Sequence, residues 1–120
     1  MLTWLASYPK SGSTWVRAFL AAYQSFESGL AAFDLTRMRR CSTSDSRATF
    51  FADIAGKPYE SLSESEIDAL RSPVQRRLAT SIDSTIVVKT HNARVMRGGF
   101  PLVDRTVTRR AVYLDRKSVV

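Results

Sequence analysis

Residues 2–15 run Leu2-Thr3-Trp4-Leu5-Ala6-Ser7-Tyr8-Pro9-Lys10-Ser11-Gly12-Ser13-Thr14-Trp15, and this stretch decides the fold. Leu2 to Ser7 is a short, mostly apolar run that ends at Tyr8-Pro9, and a residue before proline is pushed out of the helical region. It predicts a strand entering a loop. Beyond Lys10-Ser11-Gly12, the segment from Ser13 to about Tyr23 carries apolar residues around almost its whole circumference, with Ser13 or Thr14 suited to cap its start. A helix of that kind is expected to pack on a sheet and to be covered again on its far side. Strand, tight loop and helix N-terminus together aim free backbone N–H groups and the positive end of the helix dipole at one spot, which suits a phosphate. Lys10 adds a point charge and the hydroxyls of Ser11, Ser13 and Thr14 add donors, as in P-loops, although the two-glycine spacing of the Walker A loop is absent. A turn that merely caps a helix is the other reading of the same residues.

Further along, Ser63 with Glu66 three residues later forms a capping-box pattern, and Ser72-Pro73 offers a second helix start. Two short helices or one kinked helix are expected over about 64–81. Thr85-Ile86-Val87-Val88 is a continuous run rich in β-branched residues, suited to a strand covered on both faces in a parallel sheet, and it leads into Lys89-Thr90-His91. Gly98-Gly99 before Phe100-Pro101 marks a turn or short hairpin, and a third apolar run, Ala111 to Leu114, precedes Asp115-Arg116-Lys117. Each strand thus delivers polar, mostly basic residues at its C-terminal end, where open α/β sheets place their ligand crevices.

At 120 residues, 44% hydrophobic and 24% charged, the chain is expected to form one domain with a folded core. The net charge of +7 is uneven: residues 37–50 carry +3 and residues 89–120 carry +6, whereas residues 51–70 carry −4. An anionic partner fits that distribution, and a solvated basic face is the bland alternative. No apolar run approaches the roughly 18 residues of a membrane span, and the start lacks the pattern of a signal peptide, so a cytoplasmic protein without membrane contact is expected. One cysteine, Cys41, beside one histidine supports neither an intrachain disulfide nor a zinc site, and no metal is expected. Cys41 reads as an ordinary thiol, and Arg37 to Arg40 as a solvated loop, a cover over an acceptor site being the other reading of that segment.

The run YPKSGSTW at Tyr8 to Trp15, VVKTHNA at Val87 to Ala93, and RRAVYL followed by Arg116 resemble three ordered landmarks of the sulfotransferases that use 3′-phosphoadenosine 5′-phosphosulfate (PAPS). The resemblance spans nearly the whole chain and implies a three-layer α/β/α unit with a central parallel sheet, P-loop-like at its first turn. By position it implies that Lys10 contacts the phosphosulfate, that Ser11, Gly12, Ser13 and Thr14 cradle the phosphate, and that Trp15 packs on the adenine. By itself Trp15 reads as a core residue of an apolar helix. The resemblance further makes Lys89 and His91 catalytic together with Lys10, and assigns the 3′-phosphate to Arg116.

The chain departs from that pattern after Arg116, where Lys117-Ser118-Val119-Val120 replaces an Asn/Asp-Pro turn and an Asp. The family's 3′-phosphate serine and a later Gly-rich basic segment have no counterpart. Residues 1–120 are therefore expected to be a partial, truncated sulfotransferase-like domain, a poor catalyst alone that self-associates through an uncovered sheet.

The implied chemistry is transfer of a sulfuryl group to the hydroxyl or amine of a small-molecule acceptor. Such a reaction needs in-line positioning and charge neutralisation on a leaving phosphate, which Lys10 and Lys89 would supply, and a base for the acceptor proton, for which His91 is the histidine available. A hydrogen-bonded strand-end histidine is its structural alternative, and a solvated strand terminus is that of Lys89. Two other functions stay open: a P-loop-like phosphotransferase with Asp115 as the metal-binding acid, and a non-catalytic remnant that binds anions or nucleic acid through its basic loops. A nucleic acid is not the expected partner under the sulfotransferase reading.

Overall fold

A computed structural model describes residues 1–7, 12–29, 35–83 and 85–115. Strand β1 (Leu2–Ser7) leads to helix α1 (Ser13–Glu27), followed by a 3-10 turn (Leu35–Arg37), the short helix α2 (Met38–Cys41) and strand β2 (Ser42–Ser44). Helix α3 (Ala48–Ala55), a second 3-10 turn (Tyr59–Ser61) and helix α4 (Glu64–Ser81) come next. Strand β3 (Val87–Thr90), the hairpin of β4 (Met96–Arg97) and β5 (Phe100–Pro101), a third 3-10 turn (Arg105–Val107) and strand β6 (Thr108–Leu114) complete the described chain. Among the described residues, four parallel strands form one sheet in the order β2-β3-β1-β6.

Register assigns the two faces. Trp4 lies beside Val88 and Ala111, whereas Leu5 lies beside Lys89 and Val112, and alternate residues of a strand point to opposite faces. On the Trp4 face, Leu2, Trp4 and Val88 pack with Phe51 of α3 and with Val74 and Leu78 of α4 to make the core. The indole of Trp4 is buried yet satisfied, because its Nε1–H donates to Thr108 Oγ1 at 2.9 Å. On the Leu5 face sits α1, tied to β2 by Arg17 Nε donating to Ser42 Oγ at 2.8 Å. The sheet is thus flanked by helices on both faces.

The expected α/β class and parallel strands are present, with shifts that have physical causes. Strand β3 begins two residues later than Thr85, because the Asp83 carboxylate accepts from the Thr85 N–H and hydroxyl and holds Thr85 in a turn. Lys89 and Thr90 consequently lie inside the strand. Residues 64–81 form a single helix with Pro73 inside it, started as expected by Ser63 Oγ accepting from the Glu66 N–H at 3.2 Å. The Gly98-Gly99 turn joins β4 to β5 as a short hairpin. Arg37 to Arg40, read as a loop, is helical and lies against α1.

Three expectations about α1 fail. Its N-cap is neither Ser13 nor Thr14 but Gly12, at φ 89°, with no side-chain cap. Nothing among the described residues covers the helix on its far side, where Trp15, Phe19, Tyr23 and Phe26 are all exposed. Trp15, at 82% exposure, is not a core residue. The smaller Ser13, Ala21 and Ser25 are its buried residues, so the helix rests on a small-residue stripe and turns its aromatics outward. No described helix is long and apolar enough to cross a membrane.

Candidate functional site

Burial and hydrogen bonding converge at the C-terminal ends of β1, β2 and β3. His91 follows β3, and its Nδ1 lies 2.8 Å from the Ser7 carbonyl at the end of β1. A carbonyl only accepts, so Nδ1 carries a proton in this contact, and Nε2 is the ring nitrogen it leaves over. The imidazole is exposed and lines a cleft of about 300 Å³ with Ala6, Ser7, Asn92, Arg94 and Tyr113. In the same cleft wall Ser7 is buried, and its Oγ has no hydrogen-bond partner among the described residues. Nearly all buried polar side chains are paired, so this orphan hydroxyl is an exception among the described residues.

The loop bearing His91 is held from below by Asp45, the residue after β2. Asp45 is 2% exposed, and its Oδ2 accepts from Thr90 Oγ1 at 3.0 Å and from Asn92 Nδ2 at 3.1 Å. Its own N–H donates to the Lys89 carbonyl at 3.3 Å, and Thr90 Oγ1 accepts from the Asn92 N–H at 3.0 Å. Burial pushes the Asp45 carboxyl above the usual carboxylate range, opposed by the hydrogen bonds from Thr90, Asn92 and Ser46 and by the charge of Arg71. Residues 90 and 92 are thereby anchored on either side of His91, which fixes the ring's approach to Ser7.

The sequence-predicted site residues divide into four groups. Gly12, Ser13 and Thr14 open α1, with Ser13 buried and Thr14 exposed, and register places Lys89 beside Leu5 on the sheet face that α1 covers. His91 joins β3 to β1 as described. Trp15 stands exposed one residue into the helix from Thr14. Lys10, Ser11 and Arg116 lie outside the described residues. Asp115, the candidate metal-binding acid of the phosphotransferase reading, follows β6 and is exposed. Cys41 is buried, and desolvation pushes its thiol up against the opposing charge of Arg17.

Asp45, Asn92, Arg94, Tyr113 and the Ser7 hydroxyl escaped the sequence reading. Asp45 follows a strand of Ser42-Thr43-Ser44, which has no apolar run to announce it, and its role appears only once β2 pairs with β3. Comparison with protein-family models, with curated protein sequences and with solved structures finds no match.

Proposed function

We propose that the chain is the nucleotide-handling part of a PAPS-dependent sulfotransferase, a P-loop-like, three-layer α/β/α domain that sulfates the hydroxyl or amine of a small-molecule acceptor. The observation that carries this reading is the tether of His91 Nδ1 to the Ser7 carbonyl, which leaves Nε2 as a proton acceptor at the edge between the two faces of the sheet. On the α1 side of that edge lie the helix start at Gly12 to Thr14 and the strand position of Lys89, which suit an anionic donor. On the other side the cleft bordered by Ala6, Asn92 and Arg94 suits an acceptor.

In this reaction the acceptor oxygen or nitrogen attacks sulfur, forming the new bond as the bond from sulfur to the bridging phosphate oxygen breaks. The electron pair leaves on the nucleotide phosphate, where Lys89 and Lys10 neutralise it. The acceptor proton passes to His91 Nε2. Self-association belongs to the same reading, carried by the exposed residues Val112 and Tyr113 of β6 and by the aromatic side of α1.

Calorimetry with 3′-phosphoadenosine 5′-phosphate tests it. The product nucleotide should bind, and Lys10→Ala should weaken binding roughly 10- to 150-fold, the worth of one charge-assisted contact. Equal binding by the two proteins removes the loop assignment. Mass spectrometry of a reaction of PAPS with a simple phenol should find the sulfate ester, and a product carrying phosphate from a nucleoside triphosphate instead would favour a phosphotransferase.

A further inference from the structure

A second cleft, of about 370 Å³, lies on the Trp4 face of the sheet beside the one that holds His91. That volume is within the range of small-molecule sites. Trp4, Ala6, Val103 and Ala111 give it an apolar floor, and Arg94 and Arg105 contribute to its walls. The two clefts share Ala6, Asn92 and Arg94, so they run together along one wall. Both arginines are exposed, and neither has a carboxylate partner among the described residues. No described acidic residue lines this cleft.

Two guanidinium groups without a described carboxylate partner beside an apolar floor select against the common alternatives. A neutral aromatic would cover the floor and leave both charges without a counterion. Inorganic phosphate would answer the charges and gain nothing from the floor. We propose that this cleft binds a flat apolar molecule bearing a carboxylate, with its apolar body on Trp4, Ala6, Val103 and Ala111 and its carboxylate against Arg94 and Arg105. Guanidinium and carboxylate match as planar, two-point partners, and low-dielectric walls strengthen the attraction. As an assignment of acceptor class this rests on the sulfuryl-transfer reading, since the ligand's hydroxyl reaches His91 along the shared wall. As a binding site it does not.

Calorimetry without nucleotide separates the two. The probes are 4-hydroxyphenylpropionate, its uncharged counterpart 4-ethylphenol, and inorganic phosphate. The acid should bind at least tenfold more tightly than either of the others. Arg105→Ala and Arg94→Ala should each remove at least tenfold of that affinity, while Arg105→Lys retains part of it. Both side chains are exposed, so circular dichroism should show all variants folded. Equal affinity for the acid and 4-ethylphenol overturns the proposal, as does phosphate binding as tightly as the acid or acid binding that ignores both alanine substitutions. Failure in any of these leaves product-nucleotide binding at the α1 loop untouched, and loss of nucleotide binding leaves this cleft untouched.

Discussion

Asp45 Oδ2 and Thr90 Oγ1 meet at 3.0 Å across 45 residues of sequence, and both residues are at most 2% exposed. The bond joins the end of β2 to the end of β3 and, with Asn92, closes a buried polar knot under His91. A carboxylate placed there is costly unless its hydrogen bonds are complete, because burial disfavours its charge. An exposed histidine is thus held by a buried carboxylate.

A pH dependence follows from Asp45. Its folded-state pKa is raised, so the folded protein favours the protonated form more than the unfolded chain does. The contribution is fully present below the unfolded value near 3.9 and is lost as pH rises through the folded value. Asp45→Asn keeps an oxygen for Thr90 and Asn92 but removes the charge. Urea denaturation from pH 4 to pH 8 should show the variant gaining on the wild type as pH rises and then levelling off. A difference that stays flat with pH would mean that Asp45 is not buried as described.

The acid limb has the opposite sign. Asp68 accepts from Arg97 at 2.9 and 2.7 Å and from Arg71 at 3.2 Å, and these guanidinium groups, Arg97 first, hold its carboxyl below the usual range. At Asp104 burial works the other way but is outweighed by the hydrogen bonds of Thr106 and by Arg76. Stability from both groups is present above the unfolded pKa near 3.9 and lost as pH falls through the folded values. Asp68→Asn should therefore flatten the loss of thermal stability below pH 4, and an unchanged acid limb would assign it elsewhere.

Gln75 of α4 is 1% exposed, donates from Nε2 to the Leu102 carbonyl at 2.9 Å and accepts the Asp104 N–H at 2.6 Å. It ties the core helix to the segment that supplies Val103 and Arg105 to the second cleft. Gln75→Ala leaves two buried backbone groups unpaired and should cost roughly 2–5 kcal/mol in urea denaturation. A cost under about 1 kcal/mol would mean that the segment finds other partners.

How far the sequence discloses this molecule depends on whether the signal is local. Leu2 to Ser7 and the Ser63 cap are local, and both elements start where they are read. Strand β2 is made of three small polar residues and exists because β3 offers it an edge, so no local pattern could announce it. The aromatic residues of α1 mislead for the same reason. Composition marks them as a core, but the helix's small residues take that role, and only the packing decides which stripe turns inward. The KTH segment is singled out by its position after a strand, whereas the two groups that hold it, the Ser7 carbonyl and the Asp45 carboxylate, come from β1 and from the end of β2 and carry no local signal.

Gly12 starts α1 at φ 89°, and its carbonyl accepts the first helical bond from the Val16 N–H at 3.2 Å. A Cβ there meets nothing within 4 Å, so the cost of replacement is backbone strain alone. Gly12→Ala should destabilise the protein by about 1–2 kcal/mol, and Gly12→Asn by less, because asparagine tolerates the left-handed region. Both should weaken product-nucleotide binding in the same order. Alanine and asparagine equal in stability would place the residue outside that region.

The final prediction separates the two nitrogens of His91. If Nδ1 only holds the ring against Ser7 and Nε2 takes the acceptor proton, then asparagine, whose amide nitrogen stands near the place of Nδ1, can keep the tether while losing the base. His91→Asn should therefore retain product-nucleotide affinity and thermal stability yet lose about 10²- to 10⁴-fold in sulfuryl transfer. Glutamine extends past Nδ1 and keeps neither function, so His91→Gln should lose turnover and some thermal stability together. An active His91→Asn protein would transfer the base's role to another group. A His91→Asn protein that loses nucleotide binding and stability at once would make the histidine a structural brace between β1 and β3.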